Sequence, residues 1–239
     1  MQTKNREIMD RLSELATNLA EVKADIESAC TEAGRNPNEV TLIVVTKTWP
    51  ASDVELLAQL GVTDVGENRD QEAKVKFEQV QAKLTWHAIG QLQTNKAKSV
   101  ANWADVVHSV DRTDLVSALA KAVVSRTSDL KCLIQVNLDP NPRDERGGAF
   151  PDEVLALADQ ISQTPGLTLS GVMGVAPLGE DPEPAFIKLA QISSQVVNKY
   201  PAAIWISAGM SGDYAIALKH GATHLRIGSS ILGHRQVNG

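Results

Sequence analysis

The chain has 239 residues, 43% of them hydrophobic and 22% charged, the balance of a globular protein with a sizeable core. A net charge of −6 and a pI near 5.4 exclude an overall basic field that would gather nucleic acid. No run of 18 apolar residues and no charged-then-apolar leader occurs, so a cytoplasmic protein is expected. Cys30 and Cys132 lie far apart and read as buried thiols, and no Cys/His cluster has metal-ligand spacing.

In chain order, residues 6–33 place Ile8, Leu12, Leu15, Leu19, Val22, Ile26 and Cys30 at steps of three and four. That spacing predicts an amphipathic helix, stopped by Gly34 and Asn36-Pro37. A strand over 41–46 and a helix over 52–60 follow. Next come a strand over 62–66 and a polar helix to about residue 80. Strands over 85–89 and 105–110 precede helices over 94–102 and 113–125. A strand over 131–137 enters the longest non-periodic stretch, 139–150, and a helix over 151–163 comes after it. The last three strands are expected at 167–173, 203–207 and 223–227. Helices over 185–199 and from about Asp213 to His220 follow the first two, and a closing helix begins at Ser229. Eight apolar strands, each with its helix, predict a parallel sheet closed into a single (β/α)8 barrel spanning 1–239, with 1–35 as an extra helix outside it. An open doubly wound sheet is the alternative, weakened because no Gly-x-Gly-x-x-Gly follows the first strand.

The run Thr-Leu-Ile-Val-Val-Thr-Lys-Thr at 41–48 ends in Lys47, with Trp49-Pro50 closing it. A lysine at the end of a buried strand would hold its amine partly out of water. Desolvation disfavours the ammonium and makes a nucleophilic, Schiff-base-forming amine available. The alternative is a lysine that marks the strand exit and reaches to solvent. In such a barrel the site gathers at the C-terminal strand ends. Those ends carry Lys47, Glu67 and Asn68, His87, Ser109, Asn137, Met173, Ser207 and Arg226. Each is weak alone: His87 also reads as a core histidine, and Asn68 as the N-cap of its helix.

The last two units say more. Ser207-Ala-Gly-Met210-Ser211-Gly and Arg226-Ile-Gly228-Ser229-Ser each put small residues and a hydroxyl where a barrel commonly holds phosphate. Ordinary capping explains either loop singly, and Arg226 would face a ligand or pair with a core carboxylate. A reactive lysine, a phosphate cradle and an arginine in one mouth describe a pyridoxal 5′-phosphate (PLP) pocket. An arginine at the pyridine nitrogen makes the ring a poor electron sink.

At these residues the chain resembles the pyridoxal phosphate homeostasis protein family, and through it the barrel domain of alanine racemases. The matching stretches are Val45-Thr-Lys-Thr, Gly66-Glu-Asn, Trp86-His-Ala-Ile-Gly-Gln-Leu-Gln-Thr-Asn-Lys, Gly209-Met-Ser and Arg226-Ile-Gly-Ser. The resemblance implies a fold-type III PLP barrel with the cofactor as an aldimine on Lys47. It implies phosphate held around Ser211, Gly228 and Ser229, and Arg226 near the pyridine nitrogen. Asn68, His87, Ser207 and Met210 match family positions that line the pocket. Arg69 stands where the family often has an aromatic residue, and the Pro142-Arg-Asp-Glu-Arg-Gly-Gly segment replaces a shorter polar loop.

The expected function is a non-catalytic PLP carrier, acting as a monomer, with PLP-dependent apo-enzymes as recipients and no nucleic-acid or membrane partner. The alternative is an amino-acid racemase, which needs a second acid/base opposite the lysine. In the related racemases that base is a tyrosine from a further C-terminal domain, which this chain, ending at Gly239, is expected to lack. Its own tyrosines are Tyr200 and Tyr214. An interaction protein with a structural Lys47 is a third reading, and it leaves the paired phosphate-type loops unexplained.

Overall fold

A computed structural model of the protein describes residues 2–139 and 147–233. Eight parallel strands close in sequence order into a barrel: β1 (Thr41–Val45), β2 (Asp64–Glu67), β3 (Thr85–Ala88), β4 (Val106–Val110), β5 (Leu130–Gln135), β6 (Leu167–Met173), β7 (Trp205–Ser207) and β8 (His224–Ile227). β8 pairs back onto β1 through Thr41–His224 and Val44–Ile227, which closes the ring. The open-sheet alternative is thereby set aside.

The helices are α1 (Gln2–Glu32), α2 (Ala51–Gln59), α3 (Asp70–Gln79), α4 (Ala97–Val100), α5 (Thr113–Ala122), α6 (Val154–Ser162), α7 (Glu183–Lys199), α8 (Tyr214–Lys219) and α9 (Ser229–Leu232). α1 packs against α2, α8 and α9, burying Leu15, Leu19, Val22, Ile26 and Cys30. Arg11 on α1 pins this packing, donating to Asp53 Oδ2 at 2.7 Å and to the Leu232 carbonyl at 3.0 Å. None of the described helices is long and apolar enough to cross a membrane.

Strand alternation divides the buried residues into two sets. Val44, Val65, Val107, Cys132, Leu225 and Ile227 point outward into the layer between strands and helices. Inside the ring, Val106, Leu133 and Met173 pack with Trp205. Beside that small apolar plug sit buried polar side chains on β3, β4, β7 and β8: His87, His108, Ser207, His224 and Arg226. The barrel therefore has a dry outer core and a polar lumen.

Several boundaries differ from the sequence reading. β1 stops at Val45, so Lys47 lies two residues beyond the strand. The helix expected over 94–102 divides into a 3-10 turn, Thr94–Lys96, and the four-residue α4. β7 is only three residues long, because Ala203 and Ile204 precede the ladder. Most of the 139–150 stretch, from 140 to 146, lies outside the described residues, as does His234.

Candidate cofactor site

Beyond β1 the chain makes a tight turn over residues 46–49, closed by the Trp49 N–H donating to the Thr46 carbonyl at 3.1 Å. Lys47 and Thr48 are its central residues. Thr48 sits at φ 68°, the one left-handed non-glycine among the described residues. A β-branched residue costs on the order of 1–3 kcal/mol there, so the surroundings must hold it. They do so from behind. Lys76 on α3, only 4% exposed, donates to the Thr46 carbonyl at 2.7 Å and pairs with Glu67 and Glu72. Glu67 Oε1 accepts from Thr46 Oγ1 at 2.6 Å, and Glu72 accepts the Thr48 N–H. Burial pushes the Glu67 carboxyl up, while its hydrogen bonds from Lys76 and Thr46 pull the other way.

This clamp fixes the backbone on both sides of Lys47 and leaves its side chain exposed. The expectation that strand position alone would desolvate the amine is corrected: the two-residue extension lifts Lys47 clear of the core rim. Any desolvation has to come from what fills the adjacent cavity. That cavity, about 600 Å³, opens at the C-terminal end of the barrel and is lined by Lys47, Asn68, Met210, Ser211, Arg226, Gly228 and Ser229, with Val45 and Ile89 beneath.

The phosphate-type loops meet as the motif spacing predicts. Gly209, at φ 92°, turns the chain out of β7, where a side chain would strike the Tyr214 backbone 2.8 Å away. The turn brings Ser211 beside Ser229, their hydroxyl oxygens 3.4 Å apart. Arg226 is 5% exposed and donates to Ser207 Oγ at 2.5 Å and to the Gly174 carbonyl at 2.9 Å. Burial pushes its guanidinium down to about 10, so it remains a cation at neutral pH. Asn68 enters the wall because its own carbonyl packs on Gly90; a methyl group there would lie 2.2 Å from that oxygen. The N-cap of α3 is Arg69, not Asn68.

His87 and Ser207 are not among the residues that line this cavity. His87 is 1% exposed and lies deeper in the lumen, its ring nitrogens 2.9 Å from Asp64 Oδ1 and 2.9 Å from His108 Nε2. Ser207 lies under Arg226 and also meets His108 Nδ1 at 2.9 Å. Arg69 is likewise absent from the cavity wall. It borders a neighbouring pocket of about 340 Å³ together with Asp70 and Lys96.

Three residues with roles here were not legible as site residues. Lys76 sits in a helix whose charges read as a solvated face. The strand-end pattern picks out Ser109 rather than its neighbour His108, although a polar residue two places along a buried strand from Val106 shares the inward face. Asp64 opens a strand at the opposite end of the barrel.

Comparison with known proteins decides the family. The alanine racemase N-terminal domain model matches residues 17–236. A pyridoxal phosphate homeostasis protein of Corynebacterium glutamicum is 42% identical over 223 residues, covering 90% of this chain and all of that one. The chain belongs to the pyridoxal phosphate homeostasis protein family. A further family member, from Mycobacterium tuberculosis strain H37Rv, is 40% identical over 248 residues, with 95% of each chain covered. Among solved structures, PipY of Synechococcus elongatus, described with PLP bound, superposes with a TM-score of 0.80 at 30% identity. That superposition covers 92% of this chain and all of PipY. Family membership and the closed ring together establish the alanine-racemase-type (β/α)8 barrel.

Proposed function

We propose that the chain holds PLP in the 600 Å³ cavity as a Schiff base on Lys47 and serves cytoplasmic PLP homeostasis by keeping and handing on the cofactor. The observation that carries this is the convergence of Lys47, Arg226 and the Ser211–Ser229 pair on one cavity. The donor set fits the group. Two serine hydroxyls, with Gly212 and Gly228 leaving backbone accessible, suit a phosphate dianion, and Asn68 and Met210 bound the space for a ring. Lys47 has the reach and exposure to condense with an aldehyde, releasing water.

PLP when bound supplies an aldehyde for that condensation and a ring able to delocalise charge. The chain's own residues restrain the second property. Arg226 is a buried cation whose hydrogen bonds to Ser207 and Gly174 hold it in place, and it disfavours protonation of a nearby ring nitrogen. Neither tyrosine lines the cavity: Tyr200 donates to Asp159 Oδ1, and Tyr214 packs on the outer core. This supports a carrier over a two-base racemase; the carrier we propose is a monomer that passes PLP to apo-enzymes. The names carried by its relatives and the PLP-bound PipY structure point the same way.

The test is an absorbance spectrum of purified protein with PLP, before and after borohydride, for wild type and Lys47→Ala. A band near ~420 nm that reduction fixes covalently in wild type alone supports the proposal. No band in the wild type overturns it.

A further inference from the structure

The geometry points to a one-way hydrogen-bond line through the barrel lumen, from Arg226 at the mouth to Asp64 at the floor, in which His87 and His108 are positioning residues for Arg226. The links are Arg226 Nη1 to Ser207 Oγ at 2.5 Å, Ser207 Oγ to His108 Nδ1 at 2.9 Å, His108 Nε2 to His87 Nδ1 at 2.9 Å, and His87 Nε2 to Asp64 Oδ1 at 2.9 Å. Five side chains from β8, β7, β4, β3 and β2 are thereby joined in one line.

The two ends determine its sense. A guanidinium only donates and a carboxylate only accepts. With both histidines neutral, the line is satisfied in one arrangement. Arg226 donates to Ser207, the serine hydroxyl to His108 Nδ1, His108 Nε2–H to His87 Nδ1, and His87 Nε2–H to Asp64. Both rings are then Nε2–H tautomers, and each donor polarises the next. The opposite sense at the histidines requires His87 as a cation, and Ser207 would then accept from both sides. Burial and the neighbouring His87 keep His108 well below its usual value, so it is neutral in either sense. The opposite sense leaves the Ser207 hydroxyl hydrogen with no acceptor on the line, and that selects the neutral arrangement. Other groups facing the line are His224, its ring 6.5 Å from that of His87, and Lys131, which lies over Trp205. Burial holds His224 neutral, down to about 3. Asp64 is thus the carboxylate that this line connects to Arg226.

The first measurement is nitrogen NMR of ring-labelled histidines in the ligand-free protein at pH 7. Both His87 and His108 are expected as Nε2–H tautomers; a doubly protonated His87, or an Nδ1–H form of either, overturns the proposal. Asp64→Asn alters charge with almost no change in volume. It is expected to shift the His108 ring nitrogens and the Arg226 guanidinium signals, and a change confined to His87 overturns the line. His87→Gln, whose amide both accepts and donates, is expected to preserve the Asp64–Arg226 coupling, and His87→Leu to lose it at comparable melting temperature. The last arm rests on the proposed function: with PLP added, Asp64→Asn is expected to move the pH midpoint of the bound-cofactor band. Failure to bind PLP at all defeats the proposed function, while the ligand-free spectra still decide the line.

Discussion

The ammonium of Lys76 lies 2.7 Å from the carbonyl oxygen of Thr46, the residue immediately before Lys47. A buried cation from a surface helix thus grips the backbone that presents the Lys47 side chain. Lys76→Met removes that grip and leaves Glu67 buried without its counter-charge. The expected loss is about 3–5 kcal/mol of stability, read by urea unfolding. Adding Glu67→Gln is expected to recover most of the stability but not the rate at which PLP condenses with Lys47, because the Thr46 carbonyl still lacks its donor. Full recovery of both would show that Lys76 serves the core alone.

Stability is expected to fall with pH below neutrality through the lumen histidines. His108 lies well below the usual histidine value and His224 is pushed down to about 3, both chiefly by burial. A base whose folded value is depressed stabilises fully above its unfolded value, near 6.5, and that contribution is lost as pH falls. The unfolded chain takes up protons that the folded lumen refuses. Below about pH 6 each histidine contributes a slope approaching roughly 1.4 kcal/mol per pH unit. Asp64 adds the same sign at lower pH: burial opposes, but hydrogen bonds from His87 and Thr63 hold its carboxyl below the ordinary range. Urea unfolding at pH 7.5, 6 and 5 measures the slope, and His224→Gln is expected to flatten it by about one proton's worth.

Ser211 and Ser229 face each other across 3.4 Å, and PLP bound there would accept from both. Each hydroxyl-to-phosphate bond contributes about 1.5–3 kcal/mol. Ser211→Ala or Ser229→Ala is therefore expected to weaken PLP retention roughly ten-fold or more, by equilibrium dialysis. Pyridoxal, which lacks the phosphate, serves as the control, and its affinity is expected to be unchanged.

Gly90→Ala is expected to damage the site without touching the cavity. The added methyl would meet the Asn68 carbonyl oxygen at 2.2 Å, and backbone rather than a flexible side chain would have to move. A melting temperature lowered by several degrees, together with weaker PLP retention, is the expected pair of results. An unchanged melting curve would mean that the β2–α3 loop yields freely.

The barrel was legible because eight apolar runs, each bounded by turn residues, carry a period that survives errors of one or two residues at every end. Lys47 and the two serine loops were legible because lysine, serine and glycine at strand ends are chemically conspicuous. The Lys76 clamp was not: Asp70-Gln-Glu-Ala-Lys-Val-Lys-Phe-Glu alternates charge like any wet helix face, and only the packing of α3 behind β2 brings Lys76 under the Thr46 carbonyl. His108 and Asp64 were illegible as partners because their adjacency depends on strand stagger, which no local pattern encodes.

The clamp holds the turn of residues 46–49 by the Thr46 carbonyl and hydroxyl and the Thr48 amide. Position 47 therefore behaves as a socket: the scaffold dictates where its Cα stands without depending on the side chain mounted there. A cysteine, or a synthetic residue bearing an aminooxy or azide group, would be displayed at the mouth in the same pose. The barrel would then become a holder for probes or unnatural cofactors beside the Ser211–Ser229 hydroxyl pair.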